Sequence, residues 1–288
     1  MKIEVKGHSG CNIDVVRENN KLYVYKSSNN LGYLNRLELQ GLKQRDAAYN
    51  MDIPGISVPI ISEIQKTDSS VTLKMNYVYS KNFVNYFEYA GFEQITNFID
   101  AMCKFLMYEI RNSTMGTVEA GVVKEKFIDV KNKTLSNPVL KNDSEIIAII
   151  DKSEHIFNNV KDMQMPIGKC HGDLTFSNIL FSDNNYHLID FLDSFVESPL
   201  LDIVKLRQDS AYLWSQLMYS GNCDTIRLKI IANKIDSEID KFASQFDWYN
   251  DNYKIFQLMN FLRILQYAKD TVVINYLKNV INQLLYEF

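Results

Sequence analysis

The sequence is short of the residues that staple or anchor a chain. Its four cysteines, Cys11, Cys103, Cys170 and Cys223, lie far apart, with no C-x-x-C pair and no histidine at ligand spacing. That pattern argues against a zinc site and suits a reducing compartment, so a cytoplasmic location is expected. No apolar run approaches the ~18 residues that a membrane helix needs, and IIAII at 146–150 is only core-sized. The opening MKIEVKGHSG holds no apolar core of signal-peptide length. Positive charge is not in surplus either. The net charge of −4 argues against a nucleic-acid binder that relies on clustered Lys and Arg. No internal repeat, low-complexity tract or obvious linker divides the chain. Neither a membrane nor a nucleic acid is expected as a partner.

What is there is ordinary globular composition. The chain has 288 residues, 46% of them apolar and 23% charged, enough for one large domain or two lobes with a real core. The first part reads as strands. KIEVKG and NIDVVRE flank GHSGC at 7–11, and a Glu18-Asn19-Asn20 turn leads into KLYVYKSS at 21–28. Residues 32–49 carry Leu34, Leu37, Leu42 and Arg45 near helical spacing, with Pro54 and Pro59 beyond the helix. SVPIISEI and SVTLKMNYV follow as two strands joined by KTDSS. From about residue 80 the pattern is mainly helical: 92–111, 143–159, 200–219, 224–243, 253–268 and 271–286, with short strands expected at 169–171 and 186–191. A small β-rich lobe with one helix, residues 1–78, is therefore expected to precede a larger helical lobe, residues 79–288.

One stretch stands out chemically. KCHGDLTFSNILF, residues 169–181, sets Asp173 in an apolar frame, with Asn178 five residues on. A carboxylate and a carboxamide on one short loop can converge on one point. The carboxylate can take a hydroxyl proton, and the amide oxygen can bind a hard cation such as Mg²⁺. Asp190 follows twelve residues after Asn178, at the end of the strand-like YHLI. Two oxygen ligands from separate segments, completed by phosphate oxygens and water, suit Mg²⁺.

His171-Gly172-Asp173 with Asn178, followed by IDF at 189–191, resembles the kinase-like phosphotransferases, in the branch of the aminoglycoside phosphotransferases and choline kinases. The resemblance implies an α+β, bilobal, protein-kinase-like fold: a small antiparallel β N-lobe with one helix and a larger, mainly helical C-lobe. It implies Asp173 as the catalytic base, Asn178 and Asp190 as metal ligands, and His171 and Asp202 as braces of the catalytic loop, Asp202 lying in SPLLDIVKL at 198–206.

The parts upstream follow in order. Lys26 resembles the strand lysine that holds the α- and β-phosphates of ATP. Its expected partner on the next helix is open: Glu38 is the nearest acid, Asp46 comes late, and Gln40 is a neutral choice. Gly7, Ser9 and Gly10 in KGHSGCN form a loop able to bring backbone N–H groups to phosphate, although it is not a G-x-G-x-x-G sequence and a plain hairpin turn reads as well. Met75 to Tyr77 stand where the family's linker meets adenine through its backbone. The implied cofactors are ATP, with GTP as the alternative nucleotide, and Mg²⁺. The implied partner is a small-molecule hydroxyl acceptor; oligomeric state is not legible.

For the acceptor the sequence offers balance rather than a signature. Residues 191–288 hold twelve acidic and ten basic side chains, without the acidic surplus expected around a polycation. A sugar, sugar derivative or amino alcohol such as choline fits this balance, with an aminoglycoside as the alternative. FDWYNDNY at 246–253 reads as an exposed aromatic rim. Arg207 and Arg263, on apolar helices, are expected to pair with Asp209 and Asp270. Two rivals remain: a protein kinase, which the Gly of HGD and the absence of DFG disfavour, and a non-catalytic nucleotide-binding pseudokinase, which would be expected to lose Lys26, Asp173 or Asp190.

Overall fold

The structure is a computed structural model that describes residues 3–6 and 11–288, with side chains from Cys11 onward. The chain runs β1 (Ile3–Lys6), β2 (Asn12–Glu18), β3 (Lys21–Ser28), α1 (Leu34–Asn50), β4 (Ile56–Ser57), β5 (Ile61–Lys66), β6 (Val71–Asn76), α2 (Phe83–Phe87) and α3 (Phe92–Arg111). It continues through β7 (Thr114–Val118), α4 (Ala120–Ser136), α5 (Ser144–Asn158), β8 (Met163–Ile167), a 3₁₀ turn at Phe176–Asn178, β9 (Ile179–Ser182) and β10 (Asn185–Leu188). The last part is α6 (Pro199–Ser210), α7 (Trp214–Leu217), α8 (Thr225–Ala243), α9 (Asp247–Leu265) and α10 (Thr271–Leu285). The expected class, an antiparallel sheet with one helix followed by a mainly helical part, is what forms. Among the described residues no helix is long and apolar enough to cross a membrane.

The chain forms two compact units. The first contains residues 1–108, 171–194 and 222–231. Its five-stranded sheet has the order β1-β2-β3-β6-β5, every pair antiparallel. The β2–β3 hairpin turns through Asn19 and Asn20, both left-handed, which is why two Asn residues stand there. Alternation in β6 buries Val71, Leu73 and Met75 against Leu34 and Leu37 of α1. The buried face of α1 continues through Gln40 and Gln44, while Leu42 is exposed. The apolar periodicity of 34–45 thus pointed to a neighbouring face; the true one is partly amide.

A second sheet of this unit, β4-β10-β9, carries the residues around the functional loop. Phe176, next to Asn178, sits among Phe83, Phe87 and Phe98 at centroid distances of 5.9, 5.4 and 6.0 Å. Burying such a side chain is worth about 1.5–3 kcal/mol, so the loop is anchored by apolar packing beside its polar atoms.

The second unit contains residues 109–170, 195–221 and 232–288. It holds the β7–β8 ladder and helices that the caps make legible: Asp143 accepts from Glu145 and Ile146 N–H, Ser198 caps α6 ahead of Pro199, and Asp270 caps α10. Helix α4 and strand β7 lie in a stretch that no clear sequence signal marked. The expected helix at 200–219 breaks at Leu213, whose φ is +59°. The expected rim at 246–253 is instead the first turns of α9, with Trp248, Tyr249 and Asn252 buried.

Candidate active site

Asp173 and Asn178 meet. The Asn178 amide donates from Nδ2 to the Asp173 backbone oxygen and to Oδ2, both at 2.9 Å. The 3₁₀ turn at 176–178 brings this about: Asn178 N–H bonds Thr175 O at 3.0 Å, and Thr175 N–H bonds Asp173 O at 2.8 Å. With Nδ2 so engaged, the amide oxygen Oδ1 has no protein donor among the described residues. The backbone then returns toward the second segment, where Ile189 N–H donates to Asn178 O at 3.0 Å.

His171 ties the two segments together. Fully buried, it faces Ile189 O through Nε2 at 2.9 Å and receives Asp173 N–H on Nδ1 at 3.2 Å. Those partners fix a neutral ring with the proton on Nε2. Its own carbonyl accepts from Leu192 N–H at 2.8 Å, and its ring lies 4.3 Å from that of Phe191. Gly172 explains the Gly of HGD. Its φ is +87°, and a Cβ there would stand 2.0 Å from the Leu192 carbonyl oxygen. No side chain fits such an approach.

Lys26 is buried on β3, and Nζ donates to Asp190 Oδ1 at 2.9 Å. Burial pulls the ammonium pKa down, but the Asp190 charge and hydrogen bond outweigh it, so Lys26 stays a cation with a raised pKa. Asp190 lies two residues past β10 with φ +63°, and its side chain is 33% exposed, so the carboxylate is open to a ligand.

Helix α1 places no acid on Lys26. Glu38 is on its outer side and pairs with Lys66 at 2.6 Å, Asp46 accepts from Asn50, and Gln40 bonds the Tyr33 hydroxyl. The nearest acid in sequence fails because position 38 meets Lys66 at the end of the edge strand β5 rather than Lys26 on β3. The residues that reach the Asp190 segment were missed: Gln44 accepts Asp190 N–H at 3.2 Å, and Lys43 donates to Leu192 O at 2.6 Å. The available signal was spacing, since Gln40 and Gln44 continue the face of Leu37.

Met75 is buried in the sheet core, with its sulfur 3.8 Å from Gln44 Nε2, and Tyr77 N–H is taken by Leu22 O at 3.2 Å. Gly7, Ser9 and Gly10 lie outside the described residues. In the other unit, Asp202 is buried in the first turn of α6.

Arg207 pairs with neither expected acid. It meets Asp236 at 2.9 Å and Asp240 at 2.5 Å, bonds the Tyr249 hydroxyl and lies over the Tyr253 ring at 4.7 Å. Asp209 is used by Ser215, whose N–H and hydroxyl both reach it at 2.8 Å. Arg263 stands over Phe195, 5.5 Å from the ring centroid, and Asp270 caps α10.

The donor chemistry fits a hard cation. Asn178 Oδ1 and Asp190 Oδ2 are oxygens without a protein donor among the described residues, and no three His, Cys, Asp or Glu side chains cluster there as a closed cage. A cation held by two such groups needs phosphate and water oxygens to complete its shell, as Mg²⁺ does.

Comparisons with known proteins agree with this geometry. Residues 131–219 match the model of the phosphotransferase enzyme family, described as APH. No curated protein sequence matches the chain. A thermostable mutant of aminoglycoside phosphotransferase APH(4)-Ia in its apo form is similar in structure, with a TM-score of 0.66 at 7% identity, covering 100% of this chain and 94% of that one. The same enzyme in ternary complex with ADP and hygromycin B has a TM-score of 0.61 at 8% identity, covering 99% and 93%. APH(3'')-Id from Streptomyces rimosus with ADP and streptomycin has a TM-score of 0.52 at 14% identity, covering 90% and 92%. The family pattern thus lies in the 131–219 segment, and the fold of these aminoglycoside phosphotransferases is similar to that of this chain along its length.

Proposed function

We propose that the protein transfers the γ-phosphoryl group of ATP, with Mg²⁺, to a hydroxyl of a small molecule. The observation that carries this reading is the Asp173–Asn178 contact, tied through His171 to the segment bearing Asp190. Residues 1–78 form the nucleotide-binding lobe in this reading, with adenine against the 75–77 linker backbone. Residues 79–288 form the catalytic and acceptor lobe.

Asn178 Oδ1 and the Asp190 carboxylate hold Mg²⁺, which neutralises charge on the phosphate oxygens when bound. Lys26, charged at neutral pH, supplies a fixed cation for the α- and β-phosphates. Asp173 receives the acceptor hydroxyl as a hydrogen bond and orients its oxygen in line with the γ-phosphorus. The oxygen–phosphorus bond forms as the bond from phosphorus to the β-phosphate oxygen breaks. The hydroxyl proton passes to Asp173, and ADP leaves. The transition state is loose, so positioning and charge do most of the catalysis, and Asp173 need not be strongly basic.

The acceptor is a sugar, sugar derivative or amino alcohol, as the balanced charge of 191–288 suggests. Hygromycin B and streptomycin in the similar structures favour an aminoglycoside as the second reading. The test is ADP release from Mg-ATP across aminoglycosides, choline, ethanolamine and sugars, beside Asp173→Asn. Acceptor-dependent release that falls by roughly 10²–10⁴-fold in the variant, with ATP affinity nearly intact, is expected. Full activity in Asp173→Asn removes the assigned base.

A further inference from the structure

Helix α1 reaches the functional site by a route that does not pass through Lys26. Glu38, the nearest acid in sequence to Lys26, is spent on Lys66. Two consecutive residues of the next turns reach instead toward the segment that carries Asp190. Gln44, 3% exposed, takes Asp190 N–H on Oε1 while its Nε2 donates to Pro59 O at 3.1 Å. Lys43, with a side chain 13% exposed, donates to Leu192 O at 2.6 Å, and Asp193 Oδ1 stands farther off at 3.8 Å. A largely desolvated ammonium at that distance makes a charge-assisted bond to the carbonyl, and the half-exposed Asp193 is the weaker attraction.

The Leu192 peptide is therefore gripped on both sides. Its N–H goes to His171 O, and its C=O goes to Lys43 while lying against the bare Cα of Gly172. Asp190, two residues earlier, holds φ +63°, a conformation a non-glycine residue keeps only where its surroundings over-determine it. Gln44 on its N–H is one such constraint.

We infer that Lys43 and Gln44 are positioning residues, through which α1 fixes the 190–193 segment directly. This inference rests on the phosphotransferase reading for its consequence in catalysis, though the grip itself does not. It makes α1 and the Asp190 carboxylate move as one body. Removing Lys43 frees the Leu192 carbonyl, loosens 190–193 and weakens the fixed presentation of Asp190, with Asp173 left in place.

The test uses the full chain with Lys43→Met, Lys43→Arg and Gln44→Met. Amide hydrogen exchange, without nucleotide, reads the grip. Exchange over 189–194 is expected to rise about tenfold in Lys43→Met, with β6 unchanged, and to return toward wild type in Lys43→Arg. Gln44→Met raises exchange at Asp190 in particular. Mg-ATP titration reads the consequence: Lys43→Met needs several-fold more Mg²⁺ for half-saturation at fixed ATP, while Lys43→Arg does not. Unchanged exchange over 189–194 in Lys43→Met overturns the inference, as does faster exchange with an unchanged Mg²⁺ requirement. If the wild type fails to bind Mg-ATP, the phosphotransferase reading falls, and the exchange measurement still decides whether α1 grips the segment.

Discussion

Lys26 in the first unit and Arg207 in the second are both largely buried cations, and the two are finished differently. Arg207 in the second unit has several partners, Asp236, Asp240, the Tyr249 hydroxyl and the Tyr253 ring, with Ser210 holding Asp236 at 2.9 Å. Burial alone works against the guanidinium charge, yet Asp236 and its neighbours hold its pKa above the ordinary value. Burial pushes the nearby Tyr212 hydroxyl up to about 12, and the Arg207 charge works against that rise. Lys26 in the first unit has one carboxylate, and that carboxylate is a third exposed. A cation shared among several side chains holds helices together. A cation with a single carboxylate leaves that carboxylate's second oxygen available to something else. The same chemistry of buried cation and carboxylate thus marks scaffold in one place and candidate reagent in the other.

The sharpest way to break this contrast is to replace both cations with methionine. Arg207→Met strands Asp236 and Asp240 and is expected to cost about 3 kcal/mol, the low end for a broken buried pair because Asp240 is partly exposed. Lys26→Met leaves Asp190 facing solvent, so its stability cost is expected to stay under about 1 kcal/mol. Its phosphoryl transfer is expected to fall by roughly 10²–10³-fold. Urea unfolding and ADP-release assays on both variants read the crossing; a severe stability loss in Lys26→Met would make that pair scaffold too.

Gly172→Ala comes next. The new Cβ meets the Leu192 carbonyl at a backbone φ of +87°, so the expected cost is about 1–3 kcal/mol by urea unfolding. Activity should fall as well, because the displaced carbonyl belongs to the segment that presents Asp190.

The smallest expected effect is a pH slope. Burial pushes the pKa of His187, on β10, below the ordinary imidazole value of 6.5. The unfolded chain therefore binds this proton more readily. The stability His187 contributes is fully present above pH 6.5 and is lost as pH falls through that value toward the folded pKa. His187→Gln is expected to flatten the decline in unfolding free energy on acidification, as followed by urea titration at several pH values.

The local grammar of the chain was legible before the structure. Asn19-Asn20 marked a hairpin, Asp143 a helix start, and HGD with Asn178 a loop with converging polar groups, because turn, cap and loop chemistry act over a few residues. Where a reading needed the phase of a helix in its surroundings, it slipped. Residues 246–253 looked exposed from their polar content, yet packing buries Trp248 and Tyr249 at the start of α9. Position 42 looked like core, yet Leu42 is exposed while Gln44, which carried no apolar signal, is buried.

By itself, then, the sequence determined the order of most elements, the α+β class and the chemical character of the 171–191 stretch, all set by short-range spacing and side-chain type. Only the tertiary structure decided the partners of the charges. Lys26 finds Asp190 from 164 positions away, Arg207 passes over Asp209 for acids on α8, and α1 offers Lys43 and Gln44 rather than Glu38. Ion pairs and hydrogen bonds of this kind are chosen by which groups burial forces together. That choice is made by the packed core as a whole and by no local run of residues.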